Sequence, residues 1–571
     1  MPAIAADLPR VLSSADADRY AEIFELQQRA QWRRADRLIR TIDDRILMGH
    51  VLYQRYMHPR GGRTSYAKLH NWMKSYADHP GSARLHELAE KRRPESGWNE
   101  LTRPKYIRLT YPKALSGQYE GEKHDRAEAP KLSGHDRTVL TQVKRNVLKD
   151  RMTVTEEMLA GGDGAKLSAH AMAEARAQLA RGHLSGGRHD RALEQGDLAM
   201  KGKGGGKRLG AYYAGIALWA MDRWDDALLR FRTAAETPAD RIGNLGGAID
   251  YWHARAALAA GRYQEAMVAL QKAASYPRDI YGLVAIAQLA RLRPFEWEGP
   301  KLSDAVMKTL MGNAGVRRAL ALAEAGQVEL ADAELDRLAR YTDSAGNALV
   351  IAVAVAIDAP ATAYRMARVR QRSFGEQHDT ALYPVPDWEV ESDGRIGKAL
   401  LLAVARRESR FDPDARSRVG ARGVMQLMPS TAAYVAEKAN LEPVKPALLH
   451  DPEISLKYGQ AYLGYLADLV QPNGGLIQIL AAYNAGPGNL ASWSKRFGER
   501  TDPLLFIELM GSRETRAFVK DVLSAYWIYR HRLGLPTPSL RDVAAGRWPI
   551  YVPPENLSEE ELALGSGSDA Y

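Results

Sequence analysis

Apolar and polar positions follow a helical period along nearly the whole chain. Before residue 380, Ala, Leu, Arg and Glu dominate and runs of β-branched residues are rare. Polar breaks recur about every 12 to 20 residues, the spacing of successive helices. Two helices are expected over 14–48, rich in Gln and Arg, and another pair over 66–77 and 83–91. No alternating strand pattern competes, so the chain reads as all-α.

The helices then begin to repeat. Gly187-Arg-His-Asp-Arg-Ala-Leu, Asp222-Arg-Trp-Asp-Asp-Ala-Leu and Gly261-Arg-Tyr-Gln-Glu-Ala-Met share one template, and Gly326-Gln-Val-Glu-Leu-Ala-Asp is a weaker fourth copy. The ring positions His189, Trp224 and Tyr263 stand 35 and 39 residues apart. A turn with Gly or Asp, a ring and then Ala is the grammar of tetratricopeptide-like helical hairpins. One hairpin cannot bury its apolar face alone, so stacking into a solenoid follows. The ring positions and Trp252 are expected in the core. Lys201-Gly-Lys-Gly-Gly-Gly-Lys-Arg lacks the spacing of a phosphate-binding loop and a preceding strand, so it reads as a flexible basic loop. Residues 112–140 lack periodicity and read as an irregular insertion.

At 571 residues the chain exceeds what one core supports, so several domains are expected. No apolar run reaches the length of a membrane span. The net charge of +10 suits a polyanionic partner such as nucleic acid, an anionic membrane or an acidic cell wall. No basic helix or recognised motif supports nucleic acid. Cysteine is absent, which removes disulfides, thiolate catalysis and cysteine-ligated metals. The histidines do not cluster at ligand spacing, so neither metal nor cofactor is expected.

Chemistry concentrates near residue 408. Leu401, Val404 and Ala405 mark the apolar face of a helix, and Glu408 falls on that same face near its end, before Pro413. Burial and the negative end of the helix dipole both disfavour its charge. Such a carboxyl can donate a proton near neutral pH. A surface glutamate among Arg406, Arg407 and Arg410 is the alternative. Asp412 and Asp414 follow in a Phe-Asp-Pro-Asp turn, where capping or exposure is expected. Three segments come later. Asp451-Pro452-Glu453 opens a helix on which Tyr458, Tyr462, Tyr465 and Leu469 are expected to be core. Ala481-Ala482-Tyr483-Asn484-Ala485-Gly486 ends a helix in a glycine turn. Arg513-Glu514-Thr515-Arg516 starts another, with Glu514 in the first turn, where negative charge is stabilised and a proton is poorly donated.

Glu408-Ser409 followed by Gly423-Val424-Met425-Gln426-Leu427-Met428-Pro429 resembles the signature of the soluble lytic transglycosylases of glycoside hydrolase family 23. Ala-Ala-Tyr-Asn-Ala-Gly and Glu-Thr-Arg resemble the family's other motifs. Tyr251-Trp252-x-Ala254-Arg255 and Ile280-Tyr281-Gly282 more loosely resemble the helical domain of its large members. Gly511-Ser512 stands where members of the family commonly have Pro-Phe, a departure in the groove wall.

The resemblance implies a superhelical solenoid over 12–290, a helical linker domain over 291–379 and a lysozyme-like catalytic domain over 380–548, with an irregular tail over 549–571. Tyr383–Trp388 would be the crossover into the catalytic domain. It implies cleavage of the bond between N-acetylmuramic acid and N-acetylglucosamine in peptidoglycan, closing a 1,6-anhydro ring without water. Glu408 would serve as acid and then base, with Tyr483 hydrogen-bonded to it. Ser417, Met425, Gln426, Met428, Tyr483, Asn484 and Glu514 would bind the glycan. A goose-type lysozyme and a scaffold with a dead lysozyme-like module are the rivals. The N-terminus has neither a basic stretch nor a long apolar run. Either the protein is cytosolic, or a signal peptide has been removed and a start methionine added; the resemblance favours the second and a periplasmic place. A monomer is expected, with the solenoid free to meet membrane or wall proteins.

Overall fold

The computed structural model describes residues 8–109, 130–240, 245–298, 304–391, 394–470, 475–498 and 501–553. The readings made for 112–129 and for the end of the tail lie outside these. Among the described residues every named element is helical, apart from three isolated β-bridges. Two compact units divide the chain: residues 1–124, 296–389 and 410–414 in the first, and 125–295, 390–409 and 415–571 in the second.

In the first unit, helices Ser14–Gln28, Met48–Met57 and Tyr66–Tyr76 share a core with Trp72 and Tyr20 fully buried. Glu324 accepts the backbone N–H groups of Val11 and Leu12 at 2.8 and 2.7 Å, tying the N-terminal segment to helix Ala314–Glu324. A buried polar chain sits beneath. Gly81 N–H donates to His79 Nδ1, which leaves His79 Nε2 to donate to His50 Nδ1 at 3.0 Å. His50 then donates through Nε2 to Glu334, which Arg318 also holds.

The second unit opens with the repeats. Three helical hairpins follow one another: Ala169–Ser185 with His189–Met200, Gly204–Ala220 with Trp224–Glu236, and Ala248–Ala259 with Tyr263–Ala274. The recurring Gly or Asp has a backbone cause. Gly187, Asp222 and Gly261 all take positive φ (72°, 58° and 70°), the conformation that ends the first helix of each hairpin. The Ala of the template, at Ala192, Ala227 and Ala266, is buried between the helices.

The ring positions are not core. Trp224 is 45% and Tyr263 68% exposed, and His189 is half-buried. Each is the first residue of its helix, where the side chain points away from the interface that the Ala three residues later fills. Trp252 is fully buried, as expected.

Two further expectations are corrected. The Gly-Lys stretch is not a loop: helix Gly204–Ala220 begins inside it. Its glycines allow close helix approach, since a Cβ at Gly206 would stand 2.4 Å from Glu174 N, and one at Gly210 2.4 Å from Ala199 Cβ. Nor is the end of the supposed insertion irregular. Helix Gly134–Leu148 starts there behind a capping box of Ser133 and Asp136.

The same unit holds the helices expected to carry chemistry. Helix Arg513–Arg532 is buried along most of its length and packs against Lys398–Glu408 and Leu476–Ala485. The repeats share buried polar contacts with helices Pro503–Leu509 and Arg513–Arg532. The Tyr281 hydroxyl and the Lys520 ammonium both meet the carboxylate of buried Glu508, and Arg255 pairs with Asp502 at 3.1 Å.

Candidate active site

Helix Lys398–Glu408 ends on the glutamate itself, with Ser409 as cap. Pro413 does not set the end. Arg410 and Phe411 take left-handed φ of 60° and 64°, which breaks the helix first. Phe411, fully buried, is held in that conformation within the first unit by Tyr364 and Trp388. The turn residues do what was expected of them: Asp412 is exposed and accepts the Asp414 N–H at 3.0 Å.

Glu408 is half-buried, and among the described residues no hydrogen bond reaches its carboxyl. Burial of the carboxyl pushes its pKa up to about 7; the Arg407 guanidinium opposes that rise and the Glu514 carboxylate adds to it. Arg407 is itself paired with Asp521 at 3.0 Å. Glu514 is exposed in the first turn of its helix, facing Glu408 closely enough for its charge to be felt.

Tyr483 sits beside the acid but does not bond to it. Its hydroxyl donates to the Met425 carbonyl at 2.7 Å, while its ring stacks on Phe518 with centroids 5.9 Å apart. Burial first, and the nearby Glu408 charge second, raise its pKa well above the usual phenol value. The expected Tyr483–Glu408 bond is therefore replaced by one that fixes the loop carrying Met425.

That loop, residues 415–427, is closed by backbone bridges from Arg422 to Arg416 and to Leu427. Gly423 takes φ of 72° there, and a Cβ on it would stand 1.7 Å from the Leu449 carbonyl oxygen, so only glycine fits. Gln426 also has positive φ, 47°. Its amide donates to the carbonyls of Ala415 and Gly423 at 3.0 and 2.9 Å, which uses both N–H groups and leaves only Oε1 to offer a ligand. Ser417 Oγ accepts the Ala421 N–H at 2.9 Å and keeps its own proton to donate. Met425 does not line the groove: it is fully buried against Gly459, and its N–H donates to Ser455 Oγ. Met428 is half-exposed and caps helix Pro429–Lys438.

Asn484 is oriented by a residue that sequence reasoning passed over. Thr515 Oγ1 donates to Asn484 Oδ1 at 2.7 Å, which turns the Asn484 amide N–H groups outward. The signal lay between Glu514 and Arg516, in the middle of a motif already singled out. Asn484, Trp493, Ser512 and Glu514 line a polar pocket of about 380 Å³. At the departure from the family pattern, Ser512 caps helix Arg513–Arg532 through the Thr515 N–H. Gly511 lies so close to Trp493 that a Cβ would come within 3.0 Å of the indole nitrogen.

Tyr462 and Tyr465 also depart from expectation. Only Tyr458 of that row is core; Tyr462 and Tyr465 are half-buried, and Leu469 is 48% exposed. Tyr462 packs on Tyr483 at 5.3 Å and Tyr465 on Tyr434 at 5.3 Å, so these two rings pair with aromatic rings of neighbouring helices.

Residues 389–506 match the family described as Transglycosylase SLT domain. The chain is 37% identical over 140 residues to a soluble lytic murein transglycosylase of Salmonella typhimurium, covering 24% of this chain and 21% of that protein. The Escherichia coli protein of that name gives 37% over 144 residues, 25% of this chain and 22% of its own. The matched part is thus about a fifth of these curated relatives. Whole-chain likeness appears in structure. A lytic transglycosylase Slt from Pseudomonas aeruginosa, solved as an inactive mutant, superposes with TM-score 0.56 at 21% identity, covering 90% of this chain and 86% of that one. The 70 kDa soluble lytic transglycosylase of Escherichia coli gives 0.53 at 17%, covering 96% and 98%. The chain therefore carries a Transglycosylase SLT domain within an all-helical fold shared with the soluble lytic transglycosylases.

Proposed function

We propose that the chain is a lytic transglycosylase of peptidoglycan, cleaving the β-1,4 bond between N-acetylmuramic acid and N-acetylglucosamine. The observation that carries this reading is Glu408: one carboxyl, free of hydrogen bonds from described residues, whose burial lifts its pKa to about 7. Protonated, it gives its proton to the glycosidic oxygen as the C1–O bond breaks. The substrate's own acetamido oxygen stabilises the cation at C1. The Glu408 carboxylate then takes the proton of the C6 hydroxyl, and O6 closes on C1. The acid is restored, no water is consumed, and a 1,6-anhydro end remains.

Glu514 enters as a like charge that favours the protonated form of Glu408 and as a ligand for the glycan. Asn484 offers N–H groups, Ser417 its hydroxyl proton, and Gln426 only its Oε1. Met428 contributes apolar contact. Met425 acts through its carbonyl, which holds Tyr483. We assign the protein to the periplasm, as a monomer, with residues 12–290, 291–379 and 380–548 as solenoid, linker and catalytic domains.

Mass spectrometry of the soluble products from purified peptidoglycan tests this, with Glu408→Gln alongside. Muropeptides one water lighter than hydrolytic products, absent with the variant, are expected. Reducing-end products would instead mean a lysozyme.

A further inference from the structure

A second cavity, of about 610 Å³, shares no lining residue with the polar pocket at Asn484 and Glu514. It lies in the second unit, between the third hairpin and the segments around Leu504 and Val543. Its volume is that of small-molecule sites. Aliphatic walls come from Leu258, Met267, Leu270, Leu504 and Val543, with the rings of Trp219, Tyr251 and Tyr263 beside them. Tyr263, Leu258 and Met267 are 68%, 58% and 47% exposed, three large apolar side chains left facing water at one opening. Such clustering marks a surface meant to be covered. It also gives the repeat's exposed ring a role that packing does not.

One charged group reaches this apolar space with donors to spare. The Arg255 guanidinium lies 4.7 Å from the ring centroids of both Trp219 and Trp252. It meets Asp502 through Nη1 at 3.1 Å. Asp502 is already engaged: the same Oδ1 accepts the N–H groups of Leu504 and Leu505 at 3.0 and 3.1 Å and caps helix Pro503–Leu509, whose dipole offsets its charge. Most of the guanidinium's N–H donors are left over. The complement of such a site is a single anionic group on an apolar body.

We propose that this cavity binds an amphipathic anion, its carboxylate or phosphate against Arg255 and its aliphatic part along Leu258, Met267, Leu504 and Val543. The site does not depend on the reaction at Glu408.

Isothermal titration of the full chain with dodecanoate, dodecyl phosphate, dodecanol and acetate, each below its micellar concentration, tests it. Both amphipathic anions should bind, dodecanol at least about tenfold more weakly, and acetate not at all. The two anions separate a carboxylate-preferring site from a phosphate-preferring one. Met267→Glu, at an exposed position, should place a like charge at the opening and weaken dodecanoate about tenfold while the circular dichroism spectrum stays unchanged. Arg255→Gln should bring dodecanoate down to the affinity of dodecanol. Equal binding of dodecanol and dodecanoate, dodecanoate binding untouched by Met267→Glu, or no binding at all would each overturn the proposal.

Discussion

The hydroxyl of Tyr483 donates a 2.7 Å hydrogen bond to the carbonyl oxygen of Met425, joining the end of helix Leu476–Ala485 to the loop at residues 415–427. A tyrosine expected to bond to the acid instead holds that loop. Removing the hydroxyl leaves a buried carbonyl without its partner, a cost of about 1–3 kcal/mol. Tyr483→Phe should lower the melting temperature and reduce kcat on peptidoglycan. Glu408 should keep its acidity, so the shape of the pH profile should not change.

As the proposed acid, Glu408 should set the upper pH limit of activity. With the Glu408 pKa pushed up to about 7, cleavage should fall as pH rises through that value, because the proton to be donated is lost. Glu408→Gln should lose about 10²–10⁴-fold of the rate. Glu514→Gln removes a negative charge that raises the Glu408 pKa, so the descending limb should move to lower pH. A titration of kcat/KM against pH for the three proteins checks both statements.

The same shift acts on stability. Glu408 holds its proton more tightly in the folded chain than at the ordinary value of 4.5, so its contribution is fully present below 4.5 and is lost as pH rises through about 7. Above that, a charged carboxyl sits where water is scarce, at a cost of roughly 2–3 kcal/mol. Glu408→Gln should therefore melt higher than the parent at pH 8 and equally at pH 4. Equal melting at both would remove the desolvation account.

Gly423 admits no side chain. With φ of 72° and the Leu449 carbonyl oxygen 1.7 Å from a built Cβ, Gly423→Ala must displace the backbone. A loss of at least about 3 kcal/mol is expected, read as a lowered urea midpoint with activity falling alongside.

Glu508 joins the repeats to helix Arg513–Arg532. Glu508→Ala would strip both Tyr281 and Lys520 of their shared partner. Lys520 is one-quarter exposed, so the loss should sit near the low end for a broken buried pair, about 3 kcal/mol. Glu508→Ala combined with Lys520→Met should recover part of it, since the orphaned charge is then gone.

The sequence carried the helical content, the hairpin repeat and the acid itself. Each is encoded locally: periodicity marks helices, a positive-φ turn demands Gly or Asp at Gly187, Asp222 and Gly261, and an acidic residue on an apolar helix face is visible in a few letters. It also misled locally. The glycines at 204–210 signal flexibility by composition, yet they serve close packing against Ala173, Glu174 and Ala199, partners 11 or more residues away. Side-chain direction was the other loss. Trp224 and Tyr263 face out, Met425 faces in and Tyr483 turns to a carbonyl, because each orientation depends on which distant helix lies alongside.

What the sequence alone determined was therefore the kind of element and the place of one carboxyl on an apolar helix face, both properties of short stretches. Only the tertiary structure decided which groups surround that carboxyl and which donors and acceptors remain free. Desolvation of Glu408 depends on the helices packed against its own, Arg513–Arg532 among them, and the orientation of Asn484 on a threonine 31 residues further along. Burial and hydrogen-bond partnership are sums over neighbours in space, and the order of residues along the chain does not specify that sum.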